Sequence, residues 1–202
     1  QSQSVEEIRQ GSFDVCEVLV ETLLVFEKRI NDKKMDVDVE IPDDGMPVCG
    51  DRDSINQVIY NLLENALKFS PEGGKLSLSV FKQSGKAYVS VKNSGDTIPE
   101  EYQEKIFDPF YQMEGNANAD SSTGIGLNVA RSLAEMLNGS LIYTIDEGLN
   151  CFTLRLEAAV NEQVSKESAL LEDDSDFDVE SVDDESSDDS LRESVILIVE
   201  DN

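Results

Sequence analysis

Apolar residues stand at Ile55, Val58, Ile59, Leu62, Leu63, Ala66 and Leu67. That is the three- and four-residue spacing of a helix with one buried face. The same spacing stacks Asn61, Asn65 and Lys68 along the opposite edge. This helix is predicted to open at Ser54, with Gln57 completing a capping box. It ends at Ser70-Pro71, because a residue before proline disfavours helical backbone. Upstream, Phe13, Val18, Leu19, Leu23, Phe26 and Ile30 predict an amphipathic helix over 12–31, after a polar stretch at 1–10. Alternation from Asp36 to Ile41 predicts a half-buried strand, and Pro42 to Gly50 reads as a turn-rich loop. Leu76–Phe81 and Ala87–Lys92 alternate around Gln83-Ser84-Gly85 and predict a β-hairpin. Pro99 starts a short helix to about Ile106. Small polar residues over 111–123 make a mobile loop. A helix from Gly126 to Leu137 follows, with Gly139 as its C-terminal cap. Ser140–Ile145 and Cys151–Glu157 form a second hairpin around Glu147-Gly148.

The order α-β-α-β-β-α-α-β-β, with no internal repeat, predicts an α+β fold: a two-layer sandwich with helices on one face of a mixed, largely antiparallel sheet. Composition then changes. Of a net charge of −27 over 202 residues, 161–202 carry −14, from 16 acids and 2 bases. Residues 161–194, acidic and serine-rich, predict a disordered linker. The apolar run Val195-Ile-Leu-Ile-Val199, followed by Glu200-Asp201-Asn202, resembles the opening strand of a further domain.

The acidic balance argues against nucleic acid as a partner, since phosphate backbones require clustered Lys and Arg. The chain has no histidine, which excludes His-based triads, His-ligated zinc and a His general base within these residues. Cys16, Cys49 and Cys151 lack metal spacing and read as free thiols of a reducing compartment. No apolar run of 18 residues and no signal peptide appears, so direct membrane contact by this stretch is not expected.

Three segments besides the 55–67 helix carry candidate chemistry. Asn65 offers a neutral oxygen to a hard cation such as Mg²⁺, with Asn61 one turn earlier, and Lys68 offers a point charge to phosphate. The plain alternative is a solvated polar face. Thr123-Gly124-Ile125-Gly126-Leu127 enters a helix, where free N–H groups and the dipole favour an anion; alone it is equally a flexible turn. Asn93-Ser-Gly95-Asp96-Thr97-Ile98-Pro99 follows a strand, where Gly95 leaves room for a flat ring and Asn93 for a bond to a base edge; alone it too is a turn. Phe107-Asp108-Pro109-Phe110 either anchors the neighbouring loop or packs in the core.

Together, in this order, these segments resemble the catalytic and ATP-binding domain of sensor histidine kinases, of the GHKL superfamily with its Bergerat-type α/β sandwich. The resemblance covers about residues 12–157. It rests on an N box (Asn61–Pro71), a G1 box (Asn93–Pro99), an F box (Phe107–Phe110) and a G2 box (Gly124–Leu127). It implies ATP and Mg²⁺ as cofactors, with Asn65 ligating Mg²⁺ and Asn61 and Lys68 acting at the phosphates. Phe69, Asn93, Gly95 and Ile98 would line the base site, Thr123, Gly124, Ile125, Gly126 and Leu127 would hold the triphosphate, and 111–123 would be the lid. It further implies a hybrid kinase in the cytoplasm. There, 1–11 would link to a helical dimerisation and phosphoacceptor domain, 12–160 would be the catalytic domain, 161–194 a linker, and 195–202 the first strand of a downstream receiver domain.

Two departures stand out. Asn93 occupies the place of the family's Asp, and Thr97 that of the second G1 glycine. They motivate an alternative, a degenerate nucleotide-sensing or interaction module without phosphotransfer. Asn61 stands where the ATPase relatives have Glu, a base for activating water, and an amide favours transfer over hydrolysis. With no histidine present, incubation of the pure chain with labelled ATP is expected to leave no stable label on it; stable incorporation would overturn this.

Overall fold

The structure is a computed structural model that describes residues 11–112 and 124–159. The chain divides into two units, Gln1–Val160 and Asn161–Asn202. The second, with the predicted acidic linker and the terminal apolar strand, lies outside the described residues, as do Thr123 and most of the predicted lid.

The first element is a strand, β1 (Gly11–Asp14), not a helix. It pairs antiparallel with β3 (Pro47–Gly50), inside the segment predicted as a loop. Neither four-residue strand shows a periodicity of its own; each exists because the other is its partner. Asp14 then caps helix α1 (Val15–Val25), accepting from the Cys16 N–H at 2.8 Å and from the Met46 N–H at 2.8 Å. One carboxylate thus satisfies a helix-start donor and holds the loop before β3.

The helix predicted over 12–31 breaks at Phe26, which ends α1 and begins α2 (Glu27–Asp32). At φ −96° and ψ −1° Phe26 leaves regular helical geometry, and its buried ring packs on Tyr60 with centroids 4.8 Å apart.

β2 (Asp36–Glu40) runs parallel to β4 (Lys75–Gln83) at one edge of a five-stranded sheet ordered β2-β4-β5-β7-β6. The other pairings, through β5 (Lys86–Asn93), β7 (Leu149–Glu157) and β6 (Ser140–Asp146), are antiparallel. Both predicted hairpins form. Their two-residue turns, Ser84-Gly85 and Glu147-Gly148, place both central residues at positive φ, the twist that matches flanking strands.

Helix α3 (Arg52–Phe69) buries the seven apolar residues of its predicted face. They meet Leu76, Leu78, Val89, Val91, Phe152, Leu154 and their neighbours on one face of the sheet. The helix opens on Asp51, which accepts from the Ser54 N–H at 2.8 Å. Ser54 therefore lies inside the first turn, and the predicted capping box does not form. At the other end the Ser70 hydroxyl donates to the Ala66 carbonyl, and Ser70 takes extended backbone before Pro71.

Two short 3₁₀ turns, Glu100–Tyr102 and Lys105–Phe107, replace the helix predicted after Pro99. Helix α4 (Gly126–Met136) packs beside α3, which completes the helical layer. Its end is closed by Asn138 in the left-handed conformation (φ 57°), not by Gly139, where the Arg155 carbonyl of β7 passes too close for a Cβ.

Replacing Asp14 with Ala removes a cap and leaves the Met46 N–H without its partner. We expect a loss of about 2 kcal/mol from these two effects, read as a lower urea midpoint. A midpoint equal to wild type would reject the double role of Asp14.

Candidate functional site

Asn61, Asn65 and Lys68 follow one another along the half-buried edge of α3, as the spacing predicts. The Asn61 Oδ1 accepts from Gln57 Nε2 at 3.1 Å, which orients that amide. Burial pushes the Lys68 ammonium below its ordinary pKa, against the opposing pull of Glu64 one turn earlier. Its Nζ lies 5.3 Å from the centroid of the Phe69 ring.

The start of α4 lies against this edge. A Cβ added at Gly126 would find Asn61 Oδ1 3.9 Å away. Room is therefore left there between the two helices. Among the described residues no side chain caps α4, and no acid sits in its first turn, so its leading N–H groups and positive dipole end meet no carboxylate from their own helix. Gly124 has φ 66°, and a Cβ there would approach the Tyr111 carbonyl oxygen to 2.8 Å. The Phe110 N–H donates to the Gly124 carbonyl at 2.9 Å, which ties the two ends of segment 111–123 together. Glycine is thus required at 124 by the chain's own backbone.

The F box divides. Phe107 is core: it packs edge-on against Phe152, carries Arg131 over its face at 4.7 Å, and its carbonyl accepts from Asn128 of α4. Phe110, with φ 65°, is 73% exposed.

Asn93 ends β5 with its side chain buried on the helix-facing side of the sheet. Its Nδ2 donates to the Ser94 carbonyl at 2.8 Å and to the Ser70 hydroxyl at 3.3 Å. Both N–H groups are thereby used, and Oδ1 is the atom an external donor would meet. Gly95 has φ 138°, and a Cβ there would lie 2.6 Å from the Phe69 carbonyl oxygen. The G1 and N boxes are therefore in contact through backbone. Ile98 is half-buried; its N–H donates to the Tyr143 hydroxyl at 3.0 Å and its carbonyl accepts from Gln103. A concavity of about 420 Å³ opens beside Pro99, Glu100 and Glu101. Those two carboxylates make that rim unsuited to phosphate.

The structure thus brings Asn61, Gly126 and the α4 start together, and joins Phe69, Gly95 and Asn93 at the other end of the same helix. Ser70, Asn128, Tyr143 and Asn150 also shape this region and were not singled out in the sequence. For Tyr143 and Asn150 a signal existed: each sits at a core-facing position of an alternating strand, where a polar group needs a partner. Among the described residues no group of three or more His, Cys, Asp or Glu stands in metal-binding proximity, so a cation here would rely on amide oxygens, ligand phosphates and water. The free Cys16 is pushed up to about 12 by burial and by Asp14, which makes it an inert thiol. No helix among the described residues is long and apolar enough to cross a membrane.

A mixed sheet backed by helices is the fold of solved histidine kinase catalytic domains. The catalytic domain of histidine kinase ThkA superposes with a TM-score of 0.66 at 30% identity, over 74% of this chain and 97% of that one. ThkA in complex with the response regulator protein TrrA superposes at 0.65, also 30% identical, over 74% of this chain and 42% of that one. The sequence model of the histidine kinase-, DNA gyrase B- and HSP90-like ATPases matches residues 50–160, and the chain belongs to this family. The adaptive-response sensory kinase SasA of Synechococcus sp. (strain CC9311) is 34% identical over 161 residues. That alignment takes in 78% of this chain and 42% of SasA, so the chain spans less than half of that relative.

Gly95→Ala combines positive φ with a clash on backbone that cannot yield. It is expected to cost about 1–3 kcal/mol, read from chemical denaturation. A variant as stable as wild type would show that the 94–99 loop is not held against α3.

Proposed function

We propose that this chain is the ATP-binding catalytic domain of a two-component histidine kinase, which holds Mg-ATP and presents its γ-phosphate to a histidine on a separate helical domain. The observation that carries this reading is the convergence on α3 of the G1 loop, through Gly95 and Phe69, and of the α4 start, through Gly126 and Asn61. A ligand spanning those contacts would have a flat ring at the Asn93 end and anions at the Asn61 end.

The residues fit Mg-ATP in kind. Asn93 Oδ1 would be the acceptor for an exocyclic amine, while its own N–H groups are used internally. Phe69 and Ile98 flank the ring site and Gly95 leaves it open. Lys68, whose ammonium burial disfavours, gains from a neighbouring polyanion. Gly124, Ile125, Gly126 and Leu127 would offer backbone N–H groups to phosphate, with Thr123 and the lid completing the enclosure. Asn65, with Asn61 beside it, would supply amide oxygen to Mg²⁺. Bound there, the ion would offset charge on the phosphate oxygens.

Neither Asn61 nor Gln57 can take a proton from water, so these amides hold and orient and do not serve as a base for hydrolysis. Positioning and charge neutralisation would therefore carry catalysis. The acceptor histidine must come from elsewhere, since this sequence has none. ThkA, solved with its response regulator, supports a receiver as the downstream partner; the helical dimerisation domain would be the immediate one.

Calorimetry with ATP tests the reading. Wild type should bind with and without Mg²⁺, more tightly with it. Asn65→Ala should abolish the Mg²⁺ advantage and leave thermal stability unchanged. An intact Mg²⁺ advantage would reject Asn65 as the ligand. No binding at millimolar ATP would favour the interaction module.

A further inference from the structure

The loop that leaves β5 at Asn93 is secured from the far edge of the sheet. Tyr143 on β6 and Asn150 on β7 are 8% and 5% exposed, both on the core-facing side of their strands. The Ile98 N–H donates to the Tyr143 hydroxyl at 3.0 Å. That hydroxyl donates to Asn150 Oδ1 at 2.7 Å. Asn150 Nδ2 donates to the Asp96 carbonyl at 3.2 Å. The chain of bonds leaves the loop at residue 98, crosses two side chains, and returns at residue 96. The phenol ring is itself fixed against Phe152, with centroids 5.2 Å apart. Burial raises the Tyr143 pKa above its ordinary value, so the hydroxyl keeps the proton it donates.

This closed path meets the candidate base site at two points. Asn150 lies directly opposite Asn93 in the β5–β7 register, so the buried carboxamides of both strand ends sit side by side. A Cβ on Gly95 would come within 3.8 Å of Asn150 Nδ2. The bracket therefore sets the height of Gly95 and Ile98 above the sheet, and with it the width of the slot for a ring.

We propose that Tyr143 is a positioning residue for the base end of the nucleotide site, acting through Asn150 and the backbone of Asp96 and Ile98 without touching the ligand. This rests on the nucleotide-binding reading above. Among the described residues the Tyr143 hydroxyl is the one side-chain group that bonds both the loop backbone and Asn150. Its removal leaves the Ile98 N–H without its acceptor and Asn150 Oδ1 without its donor. The hydrogen bonds of this path end on the 96–98 loop and do not extend to Asn61 or the start of α4.

Tyr143→Phe in the full 202-residue chain is the test, since it removes the hydroxyl and keeps the ring on Phe152. Without nucleotide, hydrogen exchange followed by NMR should show the Ile98 amide protected in wild type. In the variant it should exchange about tenfold faster, as expected for loss of one buried hydrogen bond, while the Val89 and Leu154 amides keep their rates. By calorimetry ATP should bind about three- to tenfold more weakly, and inorganic tripolyphosphate should bind as it does to wild type. Unchanged Ile98 exchange would overturn the bracket. Equal losses for ATP and tripolyphosphate would overturn the positioning role, since they would report a general loosening. A wild-type chain that ignores ATP would overturn the nucleotide reading and the base-end role with it, and the exchange rates distinguish that failure from failure of the bracket.

Discussion

Seven apolar side chains of α3, from Ile55 to Leu67, press against the inner face of the five-stranded sheet, and every candidate functional contact is measured from that helix. Burying each large side chain is worth about 1.5–3 kcal/mol, so the helix cannot roll on the sheet without exposing part of its stripe. With the buried face pinned, the opposite edge is pinned too. Asn61, Asn65 and Lys68 are held in a line by the packing of the helix's buried face. The carbonyl at the end of α3, on Phe69, then fixes how closely the 94–99 loop may approach, and Asn61 faces the start of α4.

The ring end of this cleft is lined by neutral groups whose hydrogen bonds are internally committed. Asn93 spends both its N–H groups on Ser70 and Ser94, and Asn150 divides its amide between Tyr143 and Asp96. Buried amides with partners hold a fixed orientation, because any rotation leaves an unpaired group in a dry environment. The start of α4 lies at the other end, with no acid of its own in the first turn, and Lys68 stands near the ring end, its Nζ 5.3 Å from the Phe69 ring centroid.

The elements legible in the sequence were those whose pattern is local. The α3 stripe, the two hairpins with Ser84-Gly85 and Glu147-Gly148 at their turns, and the exit at Ser70-Pro71 follow from periodicity and backbone chemistry within a few residues. What failed depended on distant partners. β1 and β3 are each four residues long and depend on distant partners, on one another and, for β3, on the chain at Ala158 and Ala159. The break at Phe26 comes with burial of its ring against Tyr60. Asp51 rather than Ser54 caps α3, a one-turn shift that periodicity does not resolve. Gly139 was read as a cap, yet its required lack of a side chain comes from the Arg155 backbone passing beside it, and the backbones of Phe110 and Tyr111 add a requirement for glycine at 124 that the sequence did not show.

By itself the sequence determined the helix edge that carries the amides and the lysine, the glycine positions that flank it, the absence of a histidine acceptor, and the acidic charge that disfavours nucleic acid. These are properties of residue identity and short-range spacing. Only the tertiary structure decided which way the Asn93 amide points, that Gly95 touches Phe69, and that Tyr143 and Asn150, some fifty residues downstream, hold the same loop. Those contacts depend on strand register and on the approach of chain segments far apart in sequence, where a shift of one residue would turn each side chain to the other face.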